Sequence, residues 1–299
     1  MLLDQNSLLI AIGIAATGLM LTLLVAWAGA RQDRFLLLWS AGLSLIVAAT
    51  IVYGLFSEPY VPAQQFTAFA LLVTGFAITH AGTVMFRLGS VPPGPLALIW
   101  AVAIGSLGLS FALGYSGIGT ALCNLACGMY FLLAGSEIWR ARAEARLAMW
   151  IQSLLYWLMA ASFFLCAGVL LANGQFVLTA RPSNWAEDIN SLVIIVALVG
   201  IGTLALAINQ QRATTAERRR ALTDSLTGLM NRRALFDWAD TLPLADGTAV
   251  IMLDLDNFKS INDTFGHARG DEVLTRFASI VRQQVRAEDK AARLGADLL

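Results

Sequence analysis

Charged residues are scarce in this 299-residue sequence: Asp, Glu, Lys and Arg make up 13% of it, whereas 58% of its residues are hydrophobic. A soluble globular domain is about a quarter charged and about half apolar, so the composition excludes a purely soluble protein. The charged residues are unevenly distributed: residues 1–208 hold 7 basic and 7 acidic residues, and residues 209–299 hold 13 of each. We therefore expect the two parts to lie in different solvents.

Cysteine is also scarce, and Cys123, Cys127 and Cys166 all lie within apolar runs. Since none of them stands in a polar loop where an oxidising compartment would pair it, we expect no disulfide framework. Cys123 and Cys127 are four residues apart, as in a soft-metal pair, but a role as small packing residues between helices explains them better. The net charge is zero, which gives no indication of a nucleic-acid partner.

Seven segments are apolar over about the 20 residues that a helix needs to cross a bilayer. They are residues 7–29, 35–56, 64–86, 96–113, 117–138, 149–172 and 188–208. Residues 1–208 are thus predicted to form an all-α bundle of seven transmembrane helices with a sensor role. His80 is the readily titratable residue well inside a span, where such a group is a candidate for pH sensing or for binding a metal or haem. A neutral His80 that donates to a carbonyl of a neighbouring helix explains it equally well.

Arginine placement indicates the orientation of the spans. The connections after the first, third and fifth spans carry Arg31, Arg34, Arg87, Arg140, Arg142 and Arg146. The connections after the second, fourth and sixth spans carry Arg181 as their one arginine. By the positive-inside rule the N-terminus is outside, and the C-terminal part is in the cytoplasm.

Residues 209–223 contain no Gly or Pro and are predicted to continue the seventh span as a helical linker. Ile208, Thr215 and Leu222 repeat every seven residues, which fits a signalling helix that dimerises. A solvated juxtamembrane helix, whose cluster at residues 218–220 meets lipid headgroups, is the other interpretation.

Residues 224–299 have the pattern of a mixed α/β domain. Apolar spacing predicts a helix over residues 231–242, and the run at 249–255 is typical of a buried strand. A short helix is expected around residues 258–265, followed by a helix that Asp271 can cap. The predicted apolar face of that helix consists of Val273, Leu274, Phe277, Ile280 and Val281.

Polar residues with metal and phosphate chemistry follow the predicted strand. Asp254 and Asp256 stand where the strand ends, and Lys259 comes three residues later. Mg²⁺ takes one or two carboxylates and completes its shell with phosphates and water, and a lysine neutralises a phosphate as a point charge. A solvated acidic turn is the other interpretation of this local pattern.

The longer context resembles a known family. DSLTGLMNRR at residues 224–233 and LDLDNFKSINDTFGHARGDEVL at residues 253–274 closely resemble the opening half of GGDEF domains, the catalytic domains of bacterial diguanylate cyclases. The resemblance implies an α/β, nucleotide-cyclase-like domain. Its reaction joins two GTP molecules, one on each subunit of a homodimer, into cyclic di-GMP when each 3′-hydroxyl attacks the α-phosphate of the other.

The resemblance also implies roles for individual residues. Asp254 and Asp297 are the implied catalytic residues, and with the carbonyl of Leu255 they ligate Mg²⁺ or Mn²⁺. The implied substrate-binding residues are Phe258, Lys259, Asn262 and Asp271. The first two hold the GTP phosphates, and the last two read the guanine edge by accepting and donating hydrogen bonds. Arg286 and Asp289 resemble the RxxD motif of the product-inhibition site, for which an ion pair at a helix end is the alternative.

The sequence departs from the family pattern at its end. Where the family has RxGGDEF or RxGGEEF, residues 293–299 read RLGADLL, so that Ala296 replaces a glycine, Leu298 an acidic residue and Leu299 the phenylalanine. The domain is expected to be truncated and the chain inactive. Three functions stay open: a membrane-bound diguanylate cyclase sensor of the bacterial inner membrane, a non-catalytic module that binds GTP or cyclic di-GMP or dimerises, and a membrane protein that acts through its spans alone.

The arginine pattern predicts the result of a fusion experiment. Alkaline phosphatase folds only outside the cytoplasm, so fusions at Gly114 and Asn173 should be active and a fusion at Ala143 inactive. Enzyme activity in whole cells, corrected for fusion abundance, measures this. The reverse pattern of activity would contradict the orientation.

Overall fold

The computed structural model describes residues 5–55, 60–241, 249–286 and 288–295. The chain forms two compact units, residues 1–208 and 209–299. The helices of the first unit are α1 (Gln5–Gly29), α2 (Arg34–Leu55), α3 (Pro62–Leu88), α4 (Pro93–Ala112), α5 (Ser116–Arg140), α6 (Arg146–Ala172) and α7 (Trp185–Leu222), which continues beyond residue 208. All seven are long and apolar enough to cross a membrane. The prediction of seven apolar helices is confirmed.

Glycines allow the closest helix contacts in this unit. A Cβ atom on Gly42 of α2 would overlap Thr79 and the carbonyl oxygen of Gly75 in α3. In the same way, the rings of Phe164 and Trp157 in α6 lie directly on Gly128 and Gly135 of α5. Because lipid tails are as apolar as the side chains, such close backbone approach is a main source of helix association in membranes.

The carboxylate of Glu137 inside the unit is paired with arginines. The buried Glu137 of α5 accepts a short hydrogen bond from Nε of Arg87 in α3 and one of 2.9 Å from Nη1 of Arg140. Two guanidinium groups thus face one carboxylate at the end of α3 and α5. A charge left alone at this depth would be costly.

His80 and the cysteines lie inside the unit. His80 is buried, with its ring centroid 6.0 Å from that of Tyr130, and its Nδ1 has no hydrogen-bond partner among the described residues. Cys123, Cys127 and Cys166 are buried and free. In the described ranges, no group of three or more His, Cys, Asp or Glu could hold a metal ion. The sensing role of His80 stays a prediction.

The second unit is mostly helical. Within its described residues it contains β1 (Met230–Asn231), α8 (Arg232–Ala239), α9 (Phe258–Phe265), α10 (His267–Gln284) and β2 (Ala292–Arg293). The two short strands pair in parallel, with Met230 opposite Ala292. The Asn231 side chain caps α8 by accepting a hydrogen bond of 2.9 Å from the Ala234 amide. The full α/β sheet expected from the resemblance is not confirmed.

Three local predictions in this unit are wrong. Residues 249–253 form no strand, and Val250 is 89% exposed, although Asp254 at the end of this run forms a single β-bridge. Asp271 does not cap α10, since Gly266, at φ 81°, ends α9 and lets α10 begin at His267. Ile280 is 50% exposed and does not belong to the predicted face of α10, whereas Leu274 is buried and Val273, Phe277 and Val281 are half-buried as predicted.

The ion cluster of Glu137 gives a testable stability difference. Glu137→Gln keeps the side-chain volume but leaves Arg87, 26% exposed, without a carboxylate, and we expect a loss of about 1–3 kcal/mol. Arg140→Gln is the control, because that side chain is 62% exposed and its ion pair contributes about 1 kcal/mol or less. Thermal unfolding in detergent, followed by tryptophan fluorescence, compares the two variants, and equal losses would contradict the assignment.

Candidate functional site

Helix α9 presents its N-terminal amides at the edge of the second unit. Asn257 precedes it in a left-handed conformation (φ 61°) without a side-chain cap, and the Phe258 amide donates to the Leu255 carbonyl at 3.3 Å. No carbonyl among the described residues accepts the amides of Lys259 and Ser260. Free amides at the positive end of a helix are a favourable place for a phosphate group. The exposed Lys259 adds a positive charge beside them.

A close contact between α9 and α10 brings two predicted site residues together. Gly270 is buried in α10, and a Cβ atom there would overlap the side-chain oxygen of Asn262 and lie 3.2 Å from the Phe258 ring. The helices therefore approach this closely only because residue 270 is glycine. As a result, Asn262 lies against the residue that precedes the exposed Asp271. An amide and a carboxylate at one place supply the donor and acceptors that a purine edge needs.

The predicted metal ligands are only partly within the described residues. Asp254 is exposed and the Leu255 carbonyl already accepts the Phe258 amide, whereas Asp297 lies outside the described residues. A free carboxylate next to a backbone carbonyl fits Mg²⁺, which completes its shell with phosphate oxygens and water. Together, Asp254 and Leu255 suit a cation that arrives with a nucleotide.

A polar network that the sequence did not predict ties the two ends of this unit together. Asp224 Oδ1 accepts hydrogen bonds from the amide and hydroxyl of Thr227 at 2.9 and 2.7 Å, and Nη1 of Arg293 lies 3.2 Å away. Gly228, at φ 66°, closes the turn by donating to the Asp224 carbonyl. Partial burial by itself would raise the pKa of Asp224, but the hydrogen bonds from Thr227 and Arg293 outweigh it and hold this pKa below its ordinary value of 3.8.

This network positions the segment that leads to residue 297. Asp224 and Thr227, three residues apart, are a recognisable turn signal in the sequence. The pairing of Asp224 with Arg293, 69 residues later, has no such signal. The ion pair fixes β2 beside β1, because Arg293 is itself the partner of Asn231 in the sheet. Asp224 is therefore a structural anchor of the unit.

The predicted inhibitory motif forms a compact turn. The Arg286 amide donates to Oδ2 of Asp289 at 2.9 Å, and the Asp289 amide donates back to the Arg286 carbonyl at 3.1 Å. The Arg286 guanidinium is exposed and 4.0 Å from Glu288. Both motif residues line a groove of about 340 Å³ together with Arg282 and Lys290. Both interpretations of this motif stay open, because Arg286 forms its ion pair with Glu288 just after the end of α10.

Comparison with known proteins agrees with the motif analysis. Residues 221–299 match the family model described as "Diguanylate cyclase, GGDEF domain". The bifunctional diguanylate cyclase/cyclic di-GMP phosphodiesterase MucR of Pseudomonas aeruginosa is 32% identical over 275 residues, which cover 85% of this chain and 38% of MucR. The response regulator PleD of Caulobacter vibrioides is 45% identical over 82 residues, 26% of this chain and 18% of PleD. No solved structure matches significantly.

These similarities confirm the resemblance: the chain carries a GGDEF-family segment that follows seven apolar helices. The alignment with MucR is far longer than this segment and extends into the helical unit. Diguanylate cyclase TpbB of Pseudomonas aeruginosa is 38% identical over 124 residues, 40% of this chain and 27% of TpbB. The chain spans between about a fifth and two fifths of the length of these curated relatives.

The Asp224 network predicts a pH-dependent difference in local stability. Asp224→Asn removes the charge that Thr227 and Arg293 stabilise, so hydrogen exchange at residues 224–231 and 291–293 should be severalfold faster than in the wild type at neutral pH. The folded-state pKa is lowered, so the stabilisation is complete above 3.8 and is lost as the pH falls through the lower folded value. The difference should therefore shrink at the acid end of a titration.

Exchange detected by mass spectrometry, with wild type and variant compared at each pH, measures this effect. Asp263→Asn is the control. Because Asp263 is exposed on α9, this substitution should leave hydrogen exchange unchanged. A difference between wild type and Asp224→Asn that persists unchanged into acid would contradict the role of the carboxylate.

Proposed function

We propose that this chain is a membrane-bound sensor protein of cyclic di-GMP signalling, with GTP and cyclic di-GMP as its ligands. In this proposal residues 1–208 are the sensor region, residues 209–223 the signalling linker and residues 224–299 the nucleotide-binding part. The protein lies in the bacterial inner (cytoplasmic) membrane, with its N-terminus outside and residues 224–299 in the cytoplasm. The Arg distribution supports this orientation.

The arrangement of α9 and α10 carries the proposal. Free amides and Lys259 at the N-terminus of α9 suit phosphates, while Asn262 and Asp271 suit a guanine edge. The family match over residues 221–299 supports the same assignment. Asp254 and the Leu255 carbonyl would hold Mg²⁺ or Mn²⁺ between protein and phosphate, where the cation would neutralise charge on the phosphoryl oxygens. A homodimer, with one nucleotide on each subunit, follows from joining two GTP molecules.

Nucleotide binding is the direct test of this site. We expect weak, Mg²⁺-dependent GTP binding to the full chain in detergent, and Asp271→Ala should abolish it because a polar contact that reads the guanine is lost. Glu272→Ala is the matched control, since Glu272 is the next acidic residue on α10 and is also exposed. Calorimetry measures both variants, and no binding at millimolar GTP would contradict the proposal.

Turnover is a separate matter, and we propose that it is impaired in this chain. Ala296 and Leu298 replace a glycine and an acidic residue of the family signature. The two replacements remove parts that position metal and substrate, and loss of even one group that stabilises a transition state costs about 10²- to 10³-fold in rate. The chain would then act as a binding or dimerising module.

Product formation tests this second proposal. Purified chain incubated with GTP and Mg²⁺ or Mn²⁺ should give no more cyclic di-GMP than an Asp254→Ala control, as measured by chromatography. Product clearly above that control would show that residues 296–298 are compatible with catalysis.

A further inference from the structure

The helical unit contains a partly open cavity that none of the functions above uses. It has a volume of about 220 Å³ and is lined by residues of α1, α2, α3, α5, α6 and α7. Its wall is apolar over most of its length, with residues such as Leu43, Phe76 and Leu198. Pockets for drug-sized molecules have volumes of about 300–1,000 Å³, so this cavity suits a smaller, lipophilic molecule.

Polar residues gather at one end of the cavity. Tyr53 lies in the last turn of α2, Thr120 and Asn124 in the first turns of α5, and Glu187 and Asn190 at the start of α7, so the alternation of helix direction brings them together. Asn190 is held by a hydrogen bond of 2.8 Å from the Ser162 hydroxyl in α6. The cavity thus combines a polar end with an apolar shaft, which is the shape of an amphipathic ligand.

Glu187 is the charged residue that lines this polar end. Among the described residues no Lys, Arg or His lies within 4.0 Å of its carboxylate. The nearby Arg181 is engaged elsewhere: its guanidinium lies 4.6 Å from the Tyr53 ring centroid and donates to the Tyr53 carbonyl. The N-terminus of α7 favours a negative charge at this position. Glu187, whose carboxyl group also hydrogen-bonds with Cys166, therefore offers an acidic partner to an amine that enters the cavity.

We propose that the cavity binds a small lipophilic amine, whose ammonium group pairs with Glu187 and whose apolar chain lies along the shaft between α7 and the other helices. Its biological meaning rests on the sensing role proposed above, because α7 is the helix that continues towards the GGDEF segment.

One stripe of α7 forms a wall of the cavity over five turns. It consists of Glu187, Asn190, Ser191, Ile194, Leu198, Ile201, Gly202 and Ala205. Gly202 of α7 lies against Leu19 of α1, and Gly200 lies against Leu155 of α6, so α7 packs directly on two other helices of the cavity wall.

Photolabelling with simple probes tests the proposal. The full chain in phosphatidylcholine nanodiscs is irradiated with a diazirine derivative of octylamine, and labelled peptides are located by mass spectrometry. The zwitterionic lipid avoids enrichment of the amine by anionic headgroups. We expect labels on the α1 and α7 residues that line the cavity, and about tenfold less labelling by the matching octanoate probe, since a charge-assisted hydrogen bond is lost and like charges meet.

Matched variants separate recognition from partitioning into lipid. Glu187→Gln should lower amine labelling about tenfold and leave labelling by the corresponding octanol probe unchanged, which also shows that the variant is folded. Asp188→Asn, the neighbouring acid that does not line the cavity, should have no effect. Leu198→Trp should block all three probes by filling the shaft, whereas Val199→Trp, on an exposed position of α7, should not.

Two results would overturn the proposal. Equal labelling by the amine and octanoate probes, or amine labelling that Glu187→Gln leaves intact, would show that no ammonium site exists. Labels confined to lipid-exposed residues would show that the cavity is not entered. Labelling is measured without nucleotide, so a failure here is distinct from a failure of GTP binding.

Discussion

Backbone hydrogen bonding in hydrocarbon is the constraint on which the helical unit depends. An unpaired amide or carbonyl there costs several kcal/mol, so each membrane-spanning segment must satisfy its own backbone as a helix. Irregular segments need partners too: the amide of Gly117 donates to the Phe176 carbonyl at 2.9 Å, and the Leu178 amide donates to the Ser116 hydroxyl at 2.9 Å. The connection after α6 is thereby tied to the start of α5.

The same constraint distinguishes two acidic side chains of this unit. Glu137 faces the guanidinium groups of Arg87 and Arg140, so its charge is already balanced and the three residues serve structure. Glu187 has a helix N-terminus behind it and an apolar cavity in front of it, with no cation within 4.0 Å among the residues described. A balanced charge holds helices together, whereas an unbalanced one at a cavity is available to a ligand. The degree of burial of Glu137 and Glu187 would not by itself have distinguished these two roles.

The sequence predicts features that depend on local pattern and misses features that depend on distant partners. Hydropathy identifies the seven helices because each apolar run forms its own backbone hydrogen bonds as a helix. The position of α9 was also predicted correctly from the sequence. The strand at residues 249–255 was wrong because an apolar run becomes a strand only when other strands pair with it. The cavity, the Glu187 environment and the Asp224–Arg293 pair depend on residues brought together by packing, so no spacing rule indicates them.

This distinction between local and distant partners also divides the candidate nucleotide site. Phe258, Lys259, Asn262 and Asp271 stand within 14 consecutive residues of two adjoining helices, and Gly270 lets those helices approach closely. Asp254 instead stands at the end of a segment whose apolar side chains are exposed. Contacts proposed for guanine and phosphate therefore depend on short-range packing, whereas the placement of the metal ligand depends on a sheet. The contacts proposed for the nucleotide and those proposed for the metal thus rest on parts of the structure with different requirements for folding.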